Sequence, residues 1–221
     1  LFGALTSTVM LYGFSLLYGL AGATNLYALA DQFRAGAVSA WVLAGAAILV
    51  LVGFGFKISM VPFHFWSPDV YEGAPTPITA FVSTASKAAG FAVVVRVLLA
   101  AFPDVQAYWV PALSVLAVVT MTLGNLLALS QKNIKRLLAY SSIAHAGYVM
   151  IGLVSLSVFG VTSVVFYLAA YMVSNLAAFA VVILFSRAAG SEEITDYAGL
   201  SRRSPGLALV LLVALLSLAG M

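Results

Sequence analysis

The sequence contains no cysteine and only two histidines. Without cysteine the chain forms no disulfide, no thiolate zinc site and no iron–sulfur ligation. We therefore predict no cofactor and no metal on this chain. The sequence also shows no nucleophile triad, no phosphate-binding glycine loop and no dinucleotide fingerprint. Nothing in it indicates a covalent reaction.

Charge is also scarce. Only 8% of the residues are charged, whereas soluble domains carry about 25%. Ten basic and seven acidic residues leave a net charge of +3, too sparse for a nucleic-acid surface. At 63% hydrophobic residues, the chain has more apolar surface than a soluble core absorbs, and a lipid bilayer supplies the matching solvent.

The apolar residues fall into runs of about 20, the length of a membrane-spanning helix. They predict an all-α, polytopic helix bundle forming one transmembrane domain over residues 1–221. The predicted spans are 1–22, 39–63, 76–102, 109–130, 137–156 and 158–186. A shorter run at 206–221 predicts a truncated seventh helix. Because the sequence opens at Leu1 and closes at Met221 inside apolar runs, we expect an internal fragment of a longer protein.

Basic residues divide the connecting loops into two sets. Loops 64–75, 131–136 and 187–205 hold six Lys and Arg residues, and the opposite set, 24–38, 103–108 and the turn near 157, holds only Arg34. The positive-inside rule favours the first set as cytoplasmic. The polar segment 24–37 is expected at the membrane interface, and Ser191–Pro205 is the longest polar stretch.

The second span contains a helix-breaking pattern. Pro62 removes a backbone donor and clashes with the preceding turn, and two glycines loosen the helix just ahead of it. We predict an interruption near residues 59–63, although a plain proline kink remains the alternative. Interrupted helices often mark transport sites in membranes.

Two lysines lie in or beside these spans. Lys87 is about eleven residues from either predicted end of its helix, too deep to snorkel to the interface. A lysine there costs about 2.5–3.5 kcal/mol, which favours a functional role over a structural salt bridge to another subunit. Lys57 is open to two interpretations: it snorkels if its helix ends near Met60, or it is buried beside the break if the span continues to Trp66. Either lysine can change protonation state, which arginine cannot.

Other polar residues mark helix faces. Tyr167, Tyr171 and Asn175 step by four along the sixth span, His145 follows Ser141 by four in the fifth, and Asn125 lies within the fourth. Each alone is more typical of an interhelical hydrogen bond than of a relay, but together with the lysines they suit a hydrated path. His64, near Asp69 and Glu72, is a candidate proton shuttle or a helix cap.

Two segments carry a family resemblance. GFGFKISMVPFHFWSPDVYEGAPTPITAFVSTASKAAGFA and NIKRLLAYSSIAHAGYVMIGL resemble the N-type antiporter-like membrane subunits of proton-pumping NADH:quinone oxidoreductase, respiratory complex I. These subunits are related to multisubunit sodium/proton antiporters. The stretch PDVYEGAPTPITAFVSTASKAAGF is specific to the N type, and the resemblance covers essentially the whole chain.

The resemblance implies a subunit of roughly fourteen helices, built on two inverted repeats with interrupted helices, in the bacterial inner membrane. It implies that Lys57 and Lys87 translocate protons and that His145 is a candidate relay. An acidic partner of Lys57 would precede Leu1, and a further ionisable residue would follow Met221. The expected partners are protons, lipid and other membrane-arm subunits, with FMN, iron–sulfur clusters and quinone on other subunits. A non-conducting scaffold and a sodium/proton antiporter subunit are the alternatives.

Overall fold

The computed structural model describes residues 1–35 and 38–220 and is a bundle of helices. Gly36 and Ala37, in the predicted interface segment, and Met221, at the end of the predicted truncated helix, lie outside the described residues. The α-helices are α1 Phe2–Ala21, α2 Leu26–Arg34, α3 Ala40–Ile58, α4 Trp66–Gly73, α5 Thr76–Phe81, α6 Lys87–Ala101, α7 Gln106–Ala128, α8 Ile134–Val154, α9 Val158–Ala189, α10 Leu200–Arg203 and α11 Pro205–Ala219. A π turn, Val82–Ser86, joins α5 to α6, and 3₁₀ turns lie at Pro103–Val105 and Ile194–Tyr197.

Six helical segments in the described part of the chain are long and apolar enough to cross a membrane. They are Phe2–Ala21, Ala40–Ile58, Thr76–Ala101, Pro103–Ala128, Ile134–Val154 and Val158–Ala189. They match the six predicted spans, so the all-α polytopic fold is confirmed, and α11 occupies the predicted shorter run. The second span ends at Ile58, earlier than its apolar run suggests. The polar stretch Ser191–Pro205 contains two short helical turns that its composition did not predict.

The predicted interruption lies between α3 and α4. Ser59 adopts a left-handed conformation with φ 59°, which ends α3, and the chain turns through Pro62 before α4 begins. Two backbone groups at the break have side-chain partners. The Val61 N–H donates to the Thr120 hydroxyl of α7 at 3.1 Å, and the Trp66 indole donates to the Phe56 carbonyl at 2.9 Å. Such partners allow irregular backbone to persist inside a membrane protein.

The loops gather at two opposite ends of the bundle, as their alternation predicts. At one end Asn133 pairs with Glu193 in an isolated β-bridge, and Arg136 reaches back to Asp69 at 2.8 Å. At the other end Arg34 pairs with Asp104 at 3.2 Å. The two predicted loop sets are therefore two structural ends, and the cytoplasmic location of the basic end stays a prediction.

Helices α7 and α8 pack closely through small residues. A Cβ built on Gly147 would lie 2.5 Å from the Met121 side chain and 2.9 Å from the Ala117 carbonyl. On the facing helix, a Cβ on Gly124 would lie 2.7 Å from the Ala144 backbone nitrogen. Small residues permit this approach, which provides packing energy in a membrane.

Two apolar clusters form the core of the bundle. Helix α8 contributes Ala146, Val149 and Met150 to one cluster, and Leu138 and Ala139 to the other. Helix α9 likewise contributes Val164 to the first cluster and Phe179 with Val182 to the second. In both helices, buried polar side chains lie between the residues that belong to the two clusters.

Candidate functional site

Along α8 and α9, a layer of buried polar side chains lies between the residues of the two apolar clusters. Three helical segments each contribute two polar residues that lie three or four positions apart and therefore share one helix face. These segments are α8, α9 and the continuous helix formed by α5, the π turn and α6. Helix α4 adds Tyr71. We call this set the polar layer; it consists of Tyr71, Ser83, Lys87, Ser142, His145, Tyr171 and Asn175.

Lys87 lies at the centre of the polar layer and is 3% exposed. Its ammonium donates a hydrogen bond to the Ser142 backbone carbonyl at 2.7 Å and another to the Ser142 hydroxyl. The ammonium is thus held inside the bundle by two neutral oxygens of α8. This arrangement argues against a salt bridge from Lys87 to another subunit.

A π turn immediately precedes Lys87. In Val82–Ser86 the hydroxyls of Ser83 and Thr84 each donate to the Ala80 carbonyl at 2.8 Å. Ser83 in turn accepts a hydrogen bond from the Asn175 amide of α9 at 2.7 Å. Single π turns inside α-helices are frequent at functional sites, because the wider turn displaces the helix register. Here the turn lies directly beside the buried lysine.

His145 continues the polar layer towards α9. It is 7% exposed, and its Nδ1 shares a hydrogen bond with the Tyr167 hydroxyl at 2.6 Å. The ring of Tyr171 lies 4.8 Å from the His145 ring, and the Tyr171 hydroxyl is buried without a hydrogen-bond partner among the described residues. The predicted stripe of Tyr167, Tyr171 and Asn175 therefore faces the histidine and the π turn.

A small cavity of about 10 Å³ lies between these side chains. Its polar lining comes from Lys87, Ser142, His145 and Tyr171. Phe91, Ala146, Val149 and Leu168 complete the lining. The cavity therefore lies where the polar layer meets the first apolar cluster.

Lys57 occupies a different environment. It lies in the last turn of α3, directly before the break, and its side chain is exposed. Its ammonium lies 5.9 Å from the Phe56 ring centroid. A Cβ on Gly90, three residues after Lys87, would lie 3.9 Å from the Lys57 Cβ, so the backbone at Lys57 is close to α6. Because α3 ends at Ile58, the interpretation of an uncovered lysine describes this chain better than that of a buried one.

His64 is not part of an acidic cluster. It is 6% exposed, and its Nδ1 has no hydrogen-bond partner in the part of the chain described. Asp69 and Glu72 instead each pair with Arg136 of α8 at 2.8 Å. The predicted association of the histidine with these carboxylates is therefore not observed.

The sequence pattern did not identify two members of the polar layer, Ser142 and Tyr71. Ser141, which the four-residue spacing to His145 suggested, borders a separate groove near Asn125. Asn125 itself is exposed and donates to the Tyr148 hydroxyl at 2.7 Å, an interhelical hydrogen bond. The one available signal for Ser142 was its spacing of three before His145, and Tyr71 had none beyond its place after the break.

Within the described residues there is no group of three side chains suited to hold a metal ion.

Comparison with known proteins gives consistent results. The family model described as NADH:quinone oxidoreductase/Mrp antiporter, TM, matches residues 1–221. The NADH-quinone oxidoreductase subunit N of Moorella thermoacetica is 53% identical over 100% of this chain and 46% of its own length. The chain thus spans about half the length of the curated relatives it matches.

Two solved complexes contain similar chains. One chain of respiratory complex I from Thermus thermophilus matches with 41% identity and a TM-score of 0.79, over 100% of this chain and 46% of that one. One chain of the Mrp complex from Dietzia matches with 26% identity and a TM-score of 0.90, over 100% of this chain and 40% of that one. The fold described above is therefore shared by both kinds of assembly.

Proposed function

Because the chain belongs to the NADH:quinone oxidoreductase/Mrp antiporter transmembrane family, we propose that it forms part of a proton-translocating membrane-arm subunit of NADH:quinone oxidoreductase. The type we propose is subunit N, supported by the 53% identity to a relative of that name. In this function the electron transfer from NADH to quinone takes place on other subunits, and the chain contributes to moving protons across the membrane.

The observation that carries the proposal is the buried Lys87 within the polar layer. Its helix segment, Thr76–Ala101, is apolar enough to span a membrane. A lysine near the middle of a span costs free energy, so such lysines are rare and usually mark a functional site. Ser142, His145 and Tyr171 surround it with groups that donate and accept hydrogen bonds. A lysine in such a layer is suited to take up a proton and release it sideways between helices.

Lys57 has a complementary role in the proposal. It lies beside the helix break, where it stores or releases a proton as its surroundings change. An opposite charge brought near an ammonium stabilises it, and removing that charge or adding a like charge favours proton release. Lys87 then passes the proton along the polar layer, with His145 and His64 as candidate relays. Conformational change elsewhere in the complex sets the timing.

The partners follow from the same proposal. The solved relatives are chains of multisubunit membrane assemblies, which supports contacts with other membrane-arm subunits. FMN, iron–sulfur clusters and quinone are proposed to bind those other subunits. The six apolar helices make the chain an integral, multi-pass membrane protein, and the relatives' sources support the bacterial cell membrane.

A sodium/proton antiporter subunit is the second candidate. It is favoured by the 0.90 TM-score to a chain of the Mrp complex, but the identity there is 26%, about half of that to subunit N. Sequence similarity distinguishes such close relatives better than backbone similarity does, since fold alone does not determine function. We therefore favour the oxidoreductase subunit.

The test is proton pumping by the complete complex in proteoliposomes. Lys57→Ala and Lys87→Ala are introduced into the full-length subunit, and protons translocated per NADH oxidised are compared with wild type. Lys132→Ala, at an exposed loop lysine, is the matched control. We expect lower pumping in both lysine variants and an unchanged value in the control. Wild-type pumping in both variants, with the complex assembled, overturns the proposal in favour of a scaffold.

A further inference from the structure

Hydrogen bonds also connect Lys87 to the helix break between α3 and α4. Besides Lys87, the Ser142 hydroxyl has another partner, the Tyr71 hydroxyl of α4, at 3.2 Å. Tyr71 is 0% exposed, and Ser142 is 1% exposed. The lysine, the serine and the tyrosine thus form one chain of hydrogen bonds from α6 through α8 to α4. Helix α4 is the first element after the break, so this chain ends on the far side of the interruption.

The polar side chains continue along α4 towards the break. Ser67 precedes Tyr71 by four residues and therefore lies on the same face of the helix. His64 lies three residues before Ser67, and the Ser67 N–H donates to the His64 carbonyl at 3.0 Å. Ser67 is 0% exposed and His64 is 6% exposed. One stripe of buried polar side chains therefore leads from the break to Tyr71.

Two atoms of this stripe have no partner among the described residues, the Ser67 hydroxyl and His64 Nδ1. A buried polar atom without a partner costs about 1–3 kcal/mol, and such atoms are usually satisfied by bound water. The hydroxyl of Ser59, at the end of α3, is buried and unpartnered in the same way. The stripe is therefore suited to hold water between the break and Tyr71.

We propose that Tyr71 and Ser142 relay protons between Lys87 and the helix break, along the stripe that continues to Ser67 and His64. This inference rests on the proposed function, because it needs Lys87 to exchange protons. It assigns a role to two hydroxyls that join α4, the half-helix after the break, to the lysine in the polar layer.

The transfer is balanced at every oxygen. The Ser142 hydroxyl accepts a proton from the Lys87 ammonium as it passes its own proton to the Tyr71 oxygen. The Tyr71 hydroxyl releases its proton towards Ser67, which passes its own proton on, and the His64 imidazole, whose Nδ1 has no partner among the described residues, is the group that ends protonated. Each hydroxyl is neutral before and after the step, and Lys87 ends as a neutral amine. Hydroxyls suit this role because each one donates and accepts.

Tyr71→Phe is the most direct variant. It removes one oxygen and keeps the ring, whose centroid lies 6.5 Å from that of Phe179. Tyr197→Phe is the matched control: its hydroxyl is also buried, but it has no partner among the described residues and lies in the polar stretch between α9 and α11. Burial, together with the nearby Glu192, raises the pKa of Tyr197 to about 12, so the control also removes a neutral hydroxyl.

The measurement is protons translocated per NADH oxidised by the assembled complex in proteoliposomes. We expect Tyr71→Phe and Ser142→Ala to lower the ratio to that of Lys87→Ala, while Tyr197→Phe keeps the wild-type ratio. Ser142→Thr, which retains a hydroxyl, is expected to restore the ratio. A merely structural hydroxyl changes the amount of assembled complex and leaves the ratio unchanged.

The outcomes separate the inference from the proposed function. If Lys87→Ala lowers the ratio and Tyr71→Phe does not, the relay is wrong and the proposed function stands. If Lys87→Ala itself pumps like wild type, the role that the proposed function gives to Lys87 is wrong, and the relay fails with it. If Tyr71→Phe does not assemble, the comparison of Ser142→Ala with Ser142→Thr decides: equal ratios in these two variants contradict the relay.

Discussion

Lys57 and Lys87 are thirty residues apart in similarly apolar sequence, yet their side chains differ in exposure. Lys87 is 3% exposed, with its ammonium bonded twice to Ser142, whereas Lys57 is exposed at the end of α3. The cause is what packs against each lysine. Three helices, α6, α8 and α9, converge around Lys87, whereas Lys57 extends away from the bundle beside a break.

This difference shows that an apolar sequence context does not establish burial. Lys87 is surrounded by partners that the chain itself provides. Lys57 has none of them in the described residues. The two lysines are thus expected to respond differently to substitution. The stability of the chain is expected to depend on the size and hydrogen bonding of the side chain at Lys87, whereas Lys57 is expected to affect proton pumping through its charge and stability hardly at all.

The largest difference is expected on replacing each lysine by arginine. At Lys87 the guanidinium is larger than the ammonium and the adjoining cavity is about 10 Å³, so Lys87→Arg overpacks the polar layer, typically by 1–3 kcal/mol or more. The exposed Lys57 accepts arginine without strain. Native gels of membranes containing the full-length subunit measure assembly. We expect reduced assembly for Lys87→Arg and normal assembly for Lys57→Arg. Equal assembly of the two variants would contradict the difference in packing around the two lysines.

A smaller effect is expected at the break next to Lys57. Thr120→Val leaves the Val61 N–H buried without a partner, which costs about 1–3 kcal/mol. Thr120→Ser keeps the hydroxyl and serves as the control. Thermal unfolding of the detergent-solubilised protein measures the change. A stability equal to that of wild type in Thr120→Val means that the break does not depend on α7.

The hydrogen bond between Tyr167 and His145, a member of the polar layer, gives a further test. Tyr167→Phe removes the hydroxyl that bonds His145 Nδ1 and keeps the ring. A hydrogen bond of this kind contributes about 0.5–1.5 kcal/mol. We expect a destabilisation in that range by the same unfolding measurement. Tyr148→Phe, at a hydroxyl bonded to the exposed Asn125, is the control and should change stability less.

The smallest effect is expected for neutralising Lys57. In the 221-residue chain the lysine is exposed, and surface substitutions usually change stability by no more than about 0.5 kcal/mol. Lys57→Gln in this chain, solubilised in detergent, should therefore unfold like wild type. A loss of more than about 1 kcal/mol contradicts the description of Lys57 as uncovered.

Much of the fold was predictable because long apolar runs and Pro62 act locally. They determined the spans, the break and the depth of Lys87 without knowledge of packing. The partners in the polar layer were not predictable in the same way. Helix α8 is apolar and largely buried all round, so periodicity does not indicate which of Ser141 and Ser142 faces Lys87. The exposure of Lys57 and the contact of Tyr71 with Ser142 likewise depend on tertiary packing.

The most direct test of the central claim, that Lys87 in the polar layer carries protons, is the pumping ratio of Lys87→Met. Methionine is unbranched and fills a similar space, and replacing a buried charge by an apolar group is often neutral for stability. Protons translocated per NADH are measured for the assembled complex in proteoliposomes. We predict a complex that assembles, oxidises NADH and translocates fewer protons per NADH. An assembled Lys87→Met complex with the wild-type ratio would contradict the claim.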